Sequence, residues 1–92
     1  MTMFNNYLIE YLGTCFSVFI IIYTESPIKV SIAIAIAILL GSCISSATFF
    51  NPLIPIIMVM ANKFPIHAII PYIVSETAGA FTALYIYSKF IV

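Results

Sequence analysis

Two acids and one amide are the side chains of this sequence placed where they could do chemistry. Glu10 and Glu76 each stand inside an apolar run, "YLIEYLGT" and "PYIVSETAGA", and neither run contains a Lys or Arg. Glu76 lies near the middle of its run and Glu10 nearer an end. A carboxylate in the middle of a helix in hydrocarbon costs about 3 kcal/mol or more unless it finds partners. An acid kept in such a position either relays protons or ions, or accepts hydrogen bonds from backbone that nothing else satisfies. The second role is expected here, because Asn51, in "FFNPLIP", marks a break that leaves such backbone. Catalysis by other side chains is not expected. The single histidine, His67, reads as an interfacial polar residue, and no Ser-His-acid set, metal-ligand cluster or phosphate loop is visible. The reading is therefore of no enzyme, no metal and no cofactor. Cys15 and Cys43 fall in apolar segments and read as small buried hydrophobes.

The break itself has a physical meaning. Asn is among the best N-caps, since its side-chain oxygen bonds an unpaired N–H of the first turn. Pro is favoured at the first helical position, where its missing N–H costs nothing. "NP" at Asn51 and Pro52 therefore starts a helix. The apolar stretch after it, from Leu53 to Ala61, reaches only about 14 Å at ~1.5 Å per residue. That is half a bilayer. The helix, at about 51–62, is expected to be re-entrant, with its N-terminus near the midplane and its irregular approach buried in protein or facing a water-filled cavity.

The elements that position these residues follow from hydropathy. The chain is 92 residues long, 64% hydrophobic and 7% charged, with mean hydropathy +1.23. Three acidic and three basic side chains cannot cover a soluble domain of this size. An integral, multi-pass membrane protein with a lipid bilayer around it is expected. Zero formal charge and the absence of a basic patch argue against nucleic acid. Helical spans of ~20 residues are needed to cross, and three are expected, at about 7–24, 28–45 and 66–87. The alternation in "IAIAIAI" is not read as a strand, because both alternating residue types are apolar. The first segment is expected to be a retained span, since "MTMFNNY" lacks Lys and Arg. Each span carries one glycine, Gly13, Gly41 and Gly79, on a stripe of small residues at spacing four: Gly13-Ser17, Ala33-Ala37-Gly41-Ser45 and Ser75-Gly79-Ala83. Such stripes let helices approach closely in lipid. The fold class is all-α integral membrane, a single domain of three transmembrane helices and one re-entrant half-helix.

These residues resemble the aquaporins (major intrinsic proteins). "IEYLGT" is similar to the E-x-x-G-T signature of the family's first helix, at Glu10, Gly13 and Thr14. "SATFFNPLIP" is similar to the S-G-A-H-x-N-P-A-V-T loop and half-helix, through Ser46, Asn51 and Pro52. "YIVSETAGA" is similar to the Y-I-x-A-Q-x-x-G-A pattern of the third helix, at Tyr72, Gly79 and Ala80. The matches come in family order and spacing and cover about Glu10 to Tyr87. The departures are specific. Leu53 stands for the family's Ala, Pro55 for Thr, Ala47 and Phe49 for Gly and His, and Glu76 for Gln. The resemblance is to the family's N-terminal half only, and the arginine that lines the filter has no counterpart.

The resemblance implies one half-helix and one pore amide, Asn51, for water or a small uncharged solute. A lone half cannot close a pore. A homo-oligomer of at least two chains, paired antiparallel, or a complementary second half is therefore expected. Lys63 lies on one side of this topology and Lys29 and Lys89 on the other, a charge bias weak enough to permit both orientations. The alternative is a non-conducting structural or assembly protein, of a virion or an organelle, that retains the half-fold.

Overall fold

The structure is a computed structural model that describes residues 3–45 and 47–91. Ser46, one of the residues on which the loop resemblance rests, lies outside them. Every regular element among the described residues is helical. Helix α1 spans Met3–Tyr23, α2 Pro27–Ser42, α3 Leu53–Met60 and α4 Ile69–Phe90, the last preceded by a single 3-10 turn at Ile66–Ala68. Helix α1 begins before, and α4 ends after, the spans expected from hydropathy, because the added residues, 3–6 and 88–90, include no Pro or Gly to oppose helix.

The local chemistry sets these limits. Glu25, Ser26 and Pro27 end α1 and start α2. The Ser26 Oγ accepts from the Lys29 N–H at 3.3 Å, and Pro27 occupies the first helical position. Helix α2 stops three residues before the Ser45 expected from hydropathy. The N–H groups of Ile44 and Ser45 both turn back to the Gly41 carbonyl, at 3.0 and 2.8 Å. Ser45 then spends its hydroxyl on Asn6 and Ala47 rather than on the helix. With 16 residues, α2 covers about 24 Å. Two helices, α1 and the Ile66–Phe90 segment, are long and apolar enough to cross a membrane.

Helices α1 and α4 form the centre and run parallel. Tyr7 meets Tyr72 and Phe19 meets Tyr87 in edge-on ring contacts at 5.8 and 6.4 Å. Between them the Tyr11 and Thr82 hydroxyls bond at 2.7 Å. Gly79 allows this approach, since a Cβ there would strike the Tyr11 carbonyl oxygen and come within 3.1 Å of the Cys15 nitrogen. Helix α2 packs on α1 in the opposite direction, and α3 packs on α4. The link after α2 starts at the end of the bundle that holds Asn6. By Phe50 it has reached Gly13, the central residue of α1. Helix α3 then returns, so that Phe64 stacks edge-on against Tyr72 at 4.9 Å.

Polarity is inverted relative to a soluble domain, where charged and amide side chains are seldom fully buried. Among the described residues the buried set includes Asn6, Glu10, Thr14, Ser17, Ser45 and Glu76, against only Phe50, Ala68, Tyr72 and Ala83 among hydrophobes. Ile28, Leu39, Met60 and Phe81 stand on the outside. Cys43 is also exposed and Cys15 only partly covered, so the expectation of two buried cysteines is corrected. The buried Cys positions were inferred from hydropathy, which does not distinguish a helix's inner face from its outer one.

Candidate functional site

The site is the loop before α3 and the side chains that hold it. Helix α1 presents Asn6, Glu10, Thr14 and Ser17 at successive turns on one buried face. Helix α4 presents Tyr72, Glu76, Gly79 and Ala83 opposite them. The loop lies between these faces at the level of the two acids. Glu10 accepts two consecutive backbone bonds, from Phe49 N–H to Oε2 and from Phe50 N–H to Oε1, each at 2.9 Å. Glu76 Oε2 accepts the next N–H, that of Asn51, at 3.0 Å. Both acids are essentially without solvent exposure, at 0% and 1%. A hydrogen bond contributes about 0.5–1.5 kcal/mol net, and about 1.5–3 kcal/mol where the acceptor is charged, so three of them fix this stretch.

The two acids share the expected bracing of the loop unequally: Glu10 takes two N–H groups and Glu76 takes that of Asn51, one residue further on. The reason is reach. Glu10 stands directly beside the descending loop, whereas Glu76 faces the first turn of the helix. A third partner went unnoticed in the sequence: the Tyr72 hydroxyl donates to the Ala47 carbonyl at 2.8 Å, and Ser45 Oγ donates to the same oxygen at 2.9 Å.

Asn51 makes the expected local bond. Its Oδ1 accepts the Leu53 N–H at 2.9 Å, leaving the amide hydrogens of an exposed side chain available. Pro52 already has helical dihedrals, φ −60 and ψ −26, so the helix proper begins at Leu53 rather than Asn51. The C-terminus comes at Met60, before the expected Asn62. Asn62 sits at φ 60. Its N–H bonds the Val59 carbonyl at 3.0 Å, and the Lys63 N–H bonds the Met58 carbonyl at 2.8 Å. These two bonds are the Schellman pattern, which closes a helix around a left-handed residue.

Phe50 is the residue the sequence reading missed. It adopts φ 58 without being glycine, and its buried ring lies against Gly13 of α1. A Cβ on Gly13 would fall on that ring, and a Cβ on Gly41 of α2 would come within 3.1 Å of it. Of the three glycines read as helix-packing residues, only Gly79 lets one helix backbone approach another. Gly13 and Gly41 make room for an aromatic ring between their helices. A small residue in a helix signals a close neighbour, but the sequence does not say whether that neighbour is backbone or side chain.

The apex of the loop faces outward. Asn51, Pro52 and Leu53 are exposed, Leu53 by 59% and Ile54 by 40%, while Pro55 is buried. His67 is exposed on the 3-10 turn, away from both acids. Among the described residues no three His, Cys, Asp or Glu side chains come together as metal ligands. In comparisons with known proteins, no family model, no curated protein and no solved structure matches this chain.

Proposed function

We propose that the chain is an aquaporin-like half-channel: three membrane spans and one re-entrant half-helix. Its pore, for water or small uncharged solutes, is completed by a second half, most simply another copy inserted in the opposite direction. One observation carries the reading. Three consecutive N–H groups leading into a half-length helix are held by two buried acids at mid-length of the bundle, with Asn51 left exposed at the helix start. Irregular backbone at that depth in a bilayer has to be satisfied by protein, and the acids do this. The inverted polarity fits a chain surrounded by lipid. Helix α2 is short, but the turn that follows it carries the chain on to Ser45, and a short span is accommodated by local thinning of the bilayer. In an antiparallel pair the two α3 N-termini face each other, and their dipoles disfavour cations.

Stopped-flow light scattering on liposomes containing the purified protein tests this. Water or glycerol permeability above that of empty vesicles is expected, reduced by Asn51→Leu. The exposed Leu53 and Ile54 favour a second reading, in which apolar side chains fill the apex and the half-fold serves assembly. Permeability equal to that of empty vesicles would select that reading.

A further inference from the structure

The four oxygens of the Glu10 and Glu76 carboxyl groups are not equally satisfied. Three accept loop N–H groups. The fourth, Glu76 Oε1, is buried and has no hydrogen-bond donor among the described residues. The two acids bind successive N–H groups of one short segment, which brings the Glu10 carboxyl beside that of Glu76. Other described groups nearby do not supply a donor. Tyr72, facing the pair from α4, commits its hydroxyl to Ala47, and Tyr7 on α1 packs its ring on Tyr72. Thr14, one turn along α1, has a buried hydroxyl that is itself without a partner and so does not reach Oε1. Helix α3 contains no ionisable residue, and the one charge of α2, Lys29, lies in its first turn at the far end of the bundle.

We propose that Glu10 and Glu76 together bind one proton, carried on Glu76 Oε1 and donated to a Glu10 oxygen. Each carboxylate oxygen has two lone pairs, so a Glu10 oxygen bonded to a loop N–H can accept a second hydrogen bond. The proton turns the orphaned acceptor into a donor and removes one of two like charges buried side by side. The loop is then clamped by one carboxylate and one carboxylic acid. This proton site is separate from the pore reading and holds whether or not the chain conducts.

Infrared spectroscopy and a pH series test it together. The wild-type protein in nanodiscs should show the deuterium-sensitive carbonyl band of a protonated carboxylic acid, absent in Glu76→Gln. The folded chain would hold a proton that the unfolded chain has released above about pH 4.3. From there up to the pH at which the folded chain releases that proton, the folding constant of the wild type should therefore fall by about tenfold per pH unit relative to Glu76→Gln. The Gln amide supplies a permanent donor at the same place, so that variant should stay folded throughout, whereas Glu76→Leu, lacking the acceptor for Asn51, should not. A wild type without the band, or with the same pH slope as Glu76→Gln, would overturn the proposal.

Discussion

At the scale of single residues, Phe50 organises the site. An L-residue in the left-handed region costs about 1–2 kcal/mol. Phe50 holds φ 58, so its ring burial and the Glu10 bond to its own N–H have to offset that cost. Gly13 is the other half of the arrangement. Gly13→Ala is expected to destabilise by about 1–3 kcal/mol, the usual range for overpacking. In a Phe50→Gly background, with no ring to strike, the same alanine should cost only a few tenths. A double-mutant cycle by reversible unfolding in detergent checks this, and additive effects would show that ring and glycine are not in register. Glu10 allows a second expectation at this scale. Glu10→Gln keeps one acceptor oxygen for two N–H groups and sets its amide donor against the other, so a loss of about 2–3 kcal/mol is expected in the same unfolding assay. The importance of Glu10 was legible, because an acid in an apolar run demands a partner. The role of Phe50 was not, since nothing in "TFFNP" distinguishes a left-handed Phe from an extended one.

Among the elements, α3 was the most legible. Asn51 and Pro52 announced its start, and the shortness of the apolar run announced its length. Its end is set by Asn62 in the left-handed conformation, which Gly tolerates and β-branched residues do not. Asn62→Gly should leave stability within a few tenths of a kcal/mol. Asn62→Val should lose about 1–2 kcal/mol, read as a lower unfolding midpoint, and equal midpoints would mean the Schellman turn carries no weight. The C-terminus of α2 was less legible. "GSCIS" is apolar enough to continue a helix, and what stops it is tertiary: Ser45 turned to Asn6 and Ala47, and Ser42 bonded to Thr48 at 2.9 Å. Hydropathy reports how well a segment suits lipid, not where a hydroxyl finds its partner. A sharper signal was present in α1, where Asn6, Glu10, Thr14 and Ser17 recur at helical spacing and form its buried face.

For the whole molecule, the question is what covers the surfaces this fold leaves apolar. Helix α2 packs on α1 and α3 on α4, and Ile32, Ile36, Leu39, Leu53 and Ile57 remain half or more exposed. In the membrane setting proposed above, lipid would suffice for most of these. It would not suffice for the exposed Asn51 amide, whose polar hydrogens are costly to leave in hydrocarbon. The proposed second half would bring an equivalent amide and the water of a pore to the same depth. The bundle geometry makes the antiparallel arrangement testable. Lys63 lies near the end of the bundle where α4 begins, and Lys29 and Lys89 near the other, so in the proposed topology the charge bias would be one lysine. Accessibility of tags at the two termini in sealed vesicles should therefore report both orientations. With Cys15 and Cys43 replaced by Ser, Asn51→Cys should form a 51–51 disulfide under oxidation, because only a pair meeting near the midplane brings the two Cα atoms within about 7 Å. Cysteine placed at Lys63 instead should not cross-link to its own copy, since antiparallel insertion carries those positions to opposite faces of the bilayer. A single orientation in every vesicle, or cross-linking at 63 and not at 51, would replace the antiparallel pair with a parallel assembly and leave the half-helix to be completed by a different chain.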